Sequence, residues 1–141
     1  ANQRLDEDGM LLANLVSAPA GGGSEFYRAE YKTIDQVFQQ VYAFQMTQAS
    51  VVQNVEVVAS KRPARIDEKE LLTRNMVRDI GIDLQTEIRY YRDPPQTTDV
   101  PLLRDDYAPV ERLLDQMVGQ RYVVSETNQT EAPADERPDI R

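Results

Sequence analysis

The chain has 141 residues, 40% of them hydrophobic, with a net charge of −8 and a pI near 4.6. It contains no Cys, His or Trp, which excludes thiolate and imidazole catalysis together with the commonest zinc and transition-metal ligands. The acidic balance also argues against a nucleic-acid partner, because displacing counterions from phosphate needs a basic face. The one basic cluster, Lys61, Arg62 and Arg65, is followed at once by Asp67, Glu68 and Glu70.

In chain order, residues 1–20 place Leu5, Leu12, Leu15 and Val16 at spacings that suit one helical face. Asp6, Glu7 and Asp8 would sit near the N-terminus of that helix, where its dipole favours negative charge. The expectation is an amphipathic helix able to dock its apolar stripe into a groove. Gly21-Gly22-Gly23-Ser24-Glu25 then reads as a flexible tether, since Gly and Ser impose little conformational preference. The same run, ending in Phe26, is also what a cloning junction leaves, so a fused peptide over residues 1–20 is the alternative to a natural loop.

Residues 26–92 carry the globular pattern. Phe26–Lys32 is aromatic and strand-favouring. Thr33-Ile34-Asp35-Gln36 fits a capping box, and Ile34, Val37, Phe38, Val41, Tyr42 and Phe44 continue it as a helical stripe over 34–47. One long helix from Ser24 through Val52 competes with that reading, because Tyr27 and Tyr31 extend the stripe. Five valines in residues 50–60 predict a strand, with Val51, Val55, Val57 and Ala59 on one face. A second helix is expected over 67–80, with Leu71, Leu72, Met76, Val77 and Ile80 as its stripe and Gly81 at its end. Residues 82–91 alternate at period two and predict a strand, although Ile80, Leu84, Ile88 and Tyr91 also satisfy a helix. Pro94 and Pro95 end it. Residues 93–124 read as a loop followed by a short helix over 109–117, and 125–141 as a disordered acidic tail.

Carboxylates are the only catalytic groups left by this composition. Asp79, Asp83 and Glu87 lie four residues apart and would share a face if the second helix ran on, forming an Mg²⁺ site of the all-helical phosphohydrolase type. Arg78, Arg89 and Arg92 lie close enough to make the same acids a salt-bridged, solvated face instead. Asp6-Glu7-Asp8-Gly9 lacks the later bidentate Glu of a calcium loop, and Gly21–Gly23 lacks the Lys-Ser/Thr of a phosphate loop. Asn128-Gln129-Thr130 matches a glycosylation triplet by chance composition of the tail. No metal and no cofactor is expected.

The order strand, helix, Val-rich strand, helix, alternating strand predicts an α+β fold of ferredoxin-like βαβ type with extra helices; an all-α helical bundle is the alternative. Phe26-Tyr27, Phe44 and the run Ile88-Arg89-Tyr90-Tyr91-Arg92 make residues 26–92 resemble the ferredoxin-like periplasmic domains of type IV pilus and type II secretion alignment proteins. That resemblance implies a non-catalytic domain, periplasmic in location, that dimerises and scaffolds a membrane assembly. From the residues themselves, the seven tyrosines carry the interface potential, since Tyr buries a large ring while its hydroxyl tolerates water. Leu5, Leu12, Leu15, Tyr27, Tyr31, Tyr42, Tyr90 and Tyr91 are the candidate interface residues. The expected partner is protein, as a homo-oligomer or a larger assembly, without nucleic acid. No membrane insertion is expected, because no apolar run approaches the roughly 18 residues that span a bilayer.

Overall fold

The structure is a computed structural model that describes residues 4–47, 49–65, 67, 69, 88–120 and 122–123. Its elements are β1 (Met10–Ser17), α1 (Glu25–Asp35), β2 (Gln40–Gln45), β3 (Val52–Ser60), β4 (Tyr91–Arg92), α2 (Val110–Leu114) with a 3-10 turn at Asp115–Met117, and β5 (Tyr122–Val123). Four strands form an antiparallel sheet in the order β1-β3-β2-β4, and β5 adds a short parallel pairing to β3. The chain is therefore an α+β protein and not a helical bundle.

β3 is the centre of the sheet because its side chains suit a pleated, buried surface. Val55, Val57 and Ala59 are fully buried on one face, and the β-branched pair loses little rotamer freedom in an extended backbone. β1 pairs with β3 from Met10↔Ser60 to Ser17↔Gln53, and β2 from Gln40↔Ser60 to Gln45↔Val55. Both neighbours run opposite to β3, so β1 and β2 are parallel to each other with β3 inserted between them. With α1 as the crossover, this is the split βαβ unit of ferredoxin-like topology. β4 lies outside β2, at Ala43↔Arg92 and Phe44↔Tyr91.

Several expected elements differ, and the reasons are physical. Residues 10–17 form a strand where an amphipathic helix was expected. Leu11, Ala13 and Leu15 alternate with exposed Met10, Leu12, Asn14 and Val16, and eight register pairs to β3 outweigh the helix propensity of Leu and Ala. Phe26–Lys32 is helix, not strand. Tyr27, Tyr31 and Ile34, spaced four and three apart, form its buried stripe. That helix stops at Asp35, so the stripe expected over 34–47 is divided. Phe38 drops into the core from the turn, and Val41 and Ala43 continue into it from β2. Thr33 is accordingly no cap: its hydroxyl donates to Ala29 O at 2.8 Å and accepts from Leu103 N–H at 2.9 Å. The strand expected over 50–60 is β3, and the short helix expected over 109–117 is α2 with its 3-10 turn. The helix expected over 67–80, most of the strand over 82–91, and the tail lie outside the described residues.

The expected tether is a hydrogen-bonded corner. Ser17 Oγ donates to Gly23 O at 2.9 Å, Ser24 Oγ donates to Gly21 O at 2.7 Å, and both serines are buried. Gly23 N–H reaches Glu25 Oε2 and, across the fold, Gln116 Oε1. Gly23 has φ +84°, and a Cβ there would come within 2.9 Å of Gln120 Nε2 and 3.1 Å of Met117 Cγ. Glycine is required by both the backbone conformation and the close approach.

The main core lies between α1 and one face of the sheet. It joins Tyr27, Tyr31 and Ile34 to Phe38, Val41, Ala43, Val55, Val57 and Ala59, with Leu5, Leu11, Ala13 and Leu15 closing its β1 side. A second cluster of Ala29, Val100 and Leu113, flanked by Phe26 and Leu103, holds the segment from Gln96 to Met117 against the outer side of α1. Polar contacts fix the same segment: Arg28 Nη1 meets Asp99 Oδ1 at 2.5 Å and Lys32 Nζ donates to Val100 O at 2.6 Å. The hydrogen bond from Arg28 holds the Asp99 carboxyl below its usual range. The turn between β2 and β3 is closed by buried Gln53. Its Oε1 accepts from Thr47 N–H at 2.8 Å, and its Nε2 donates to Ala49 O at 2.9 Å.

Candidate interaction surface

α1 covers only one face of the sheet. The other face carries Met10, Leu12, Asn14 and Val16 of β1, Asn54, Glu56 and Val58 of β3, and Tyr42 and Phe44 of β2. Register aligns these residues in rows across the strands, since opposed residues share a face. Leu12, Val58 and Tyr42 form one row, and Asn14, Glu56, Phe44 and Tyr91 the next. The two ends of this face differ sharply.

At the β4 end the aromatics cover one another. Tyr91 lies 6.0 Å from Phe44 and 6.4 Å from Tyr42 between ring centroids. The Arg65 guanidinium stands 5.5 Å from the Tyr42 ring and 5.4 Å from the Tyr91 ring, and its Nη2 donates to the Tyr91 hydroxyl. Cation–π attraction and stacking leave Tyr42 only 8% exposed. Tyr90 is engaged in the same way by its neighbour, with the Arg89 guanidinium 4.8 Å from its ring.

At the β1 end, among the described residues, nothing comparable covers the apolar side chains. Leu12 is 68% exposed, Met10 52% and Val16 43%. Among the described residues β1 pairs only with β3, so its outer edge is open. Strand polar groups alternate sides in an antiparallel ladder. Lys61 N–H donates to Gly9 O at 3.3 Å, which sets odd-numbered residues of β1 toward β3. Met10, Leu12, Asn14 and Val16 therefore turn their N–H and C=O groups outward. Edge strands are commonly blunted by Lys, Pro or inward-pointing charge. The sequence Met10–Ser17 contains none of these.

The sequence-level candidates separate into three groups. Tyr27 and Tyr31 are core residues, buried with their rings edge-to-face at 6.2 Å. Burial raises both phenols above their usual range, Tyr31 to about 12, with the nearby Asp35 carboxylate adding to the effect, and Tyr31 hydroxyl donates to Val41 O. Leu5 and Leu15 pack against that core as well. Tyr42 and Tyr91 lie at the self-covered aromatic end, and Tyr90, the residue before β4, is engaged by Arg89. Only Leu12 of these stands on the open apolar strip, beside Val16, which the sequence placed in the same docking stripe, and Met10, which it did not single out. The signal that marks all three is an uncharged, proline-free apolar run between Gly9 and Ala18. The carboxylates Asp79, Asp83 and Glu87 lie outside the described residues. Among the described residues no three acidic side chains converge as a metal site, and no helix is long and apolar enough to cross a membrane.

Comparisons with protein-family models, curated proteins and solved structures gave no match.

Proposed function

We propose that the chain is a non-enzymatic protein-binding module of a larger assembly, and that it engages its partner through β1 and the adjoining part of the open sheet face. One observation carries this reading: an eight-residue edge strand without charge or proline that exposes Leu12, Met10 and Val16 together. Such an edge offers a row of unpaired donors and acceptors for strand addition, while the alternating side chains supply the apolar contact. The chemistry left by the composition agrees, since imidazole and thiol are absent from the whole chain.

The test is affinity capture from an extract of the source cells, with the wild-type chain and Leu12→Lys as parallel baits. Defined proteins retained by the first and lost from the second support the reading. A bait pair that mass spectrometry cannot tell apart, with the variant folded by circular dichroism, overturns it.

A further inference from the structure

We propose that the partner taken up by β1 is a second copy of this chain, joined β1 to β1 in antiparallel register about Ala13. The inference rests on the module reading above and adds the identity of the occupant. Two four-stranded antiparallel sheets would become one continuous sheet of eight.

The register follows from the parity of the strand. Opposed residues in a continuous sheet point to the same face, so a twofold axis must pass through a residue and not between two. Centring on Leu12 leaves Val16 without a strand partner, and centring on Asn14 leaves Met10 without one. Centring on Ala13 opposes Met10 to Val16, Leu11 to Leu15, Leu12 to Asn14 and Ala13 to its own copy. The outward-facing backbone groups of Met10, Leu12, Asn14 and Val16 then meet as hydrogen-bonded pairs. On the open face Met10, Leu12 and Val16 of both copies form one apolar band. On the core face Leu11 of each chain meets Leu15 of the other, extending the side of the core that β1 closes.

Charge points to the same occupant. A chain of net charge −8 repels its own copy, yet no charged residue lies in Met10–Ser17. Asp8, just outside the strand, is held by Arg62 at 2.9 Å and would lie opposite Ala18 of the second copy. Glu56, the nearest acid on the open face among the described residues, would stand at least three strand spacings, about 14 Å, from its mate. Physiological salt screens charges beyond about 8 Å. The seam is thus the part of this acidic molecule where two copies meet without like-charge repulsion.

The test uses the purified full chain in sedimentation velocity over a dilution series. The expected result is a reversible monomer–dimer equilibrium, lost over the same range in both Leu12→Lys and Asn14→Pro. Proline at residue 14 removes an outward N–H and leaves the β3 ladder intact. Val118→Lys, on the exposed turn after the 3-10 segment, should leave the dimer unchanged. Because the chain has no cysteine, Ala13→Cys introduces a single thiol. Non-hydrogen-bonded antiparallel pairs bring Cα atoms to about 4.5 Å, within disulfide reach. Mild oxidation should therefore give a covalent dimer, and Val118→Cys should not. Monomer at every concentration overturns the proposal, as does a dimer that survives both β1 substitutions or an Ala13→Cys protein that stays monomeric. Monomeric wild-type chain together with Leu12-dependent capture of other proteins would refute the second copy and leave the module reading standing.

Discussion

At the scale of single residues, the groups that depart from ordinary solution behaviour are those that α1 presses against the rest of the fold. Glu30, half-buried on that helix, is held above its usual carboxylate range by desolvation. The sign follows directly. An acid whose folded-state pKa exceeds its unfolded value opposes folding once it ionises, so its cost is absent at low pH. That cost grows as pH rises from the unfolded value through the folded one. Glu30→Gln should therefore gain on the wild type as pH rises from acid to neutral, measured as the difference in urea midpoint. Parallel pH profiles for the two proteins would show that the carboxylate stays hydrated in the native state.

At the scale of elements, β1 is where alternation decides consequence. Leu12 and Val57 are both large apolar residues of paired strands, but one faces solvent and the other is fully buried. At concentrations where both proteins are monomeric, Leu12→Lys should change unfolding free energy by only about 0.5 kcal/mol in either direction, as exposed substitutions usually do. Val57→Asp should abolish cooperative unfolding, because it places an unpaired charge beneath α1. Circular dichroism melts distinguish the two. The same alternation explains what could be read from the chain beforehand. The α+β class and β3 were legible because five valines in eleven residues have few other uses. β1 was misread because Leu5, Leu12, Leu15 and Val16 also fit a helical period, and only pairing with a strand more than thirty residues away separates the two readings. α1 and β2 were displaced for a related reason. Tyr27, Tyr31, Ile34, Phe38 and Val41 keep one unbroken spacing of threes and fours across a turn. The tyrosines were rightly seen as large amphipathic rings, but composition does not say which side of a sheet a ring will face. Of the eight interface candidates, Leu12 alone is exposed on the open face of β1; Leu15 shares the strand but turns toward the core.

At the scale of the whole molecule, α1 is shared between two packing surfaces, the sheet on one side and the segment Gln96–Met117 on the other. Ala29 is the pivot of the second surface and is fully buried against Val100 and Leu113. Ala29→Met should cost about 1–3 kcal/mol by overpacking. Hydrogen exchange should locate the damage, with amides around Val100, Leu103 and Leu113 losing protection while those of β3 keep theirs. Uniform loss across both regions would show one indivisible cooperative unit. The corner at Gly21–Ser24 bears on how the molecule can be handled at the bench. A glycine-rich run invites a protease site or an inserted tag, yet here it is knotted to the end of β1, the start of α1 and Gln116. Cutting or lengthening it would loosen three parts at once. The exposed Asp105-Asp106 tip, bracketed by the Arg104–Tyr107 bridge, is the better place to nick the backbone or graft a label.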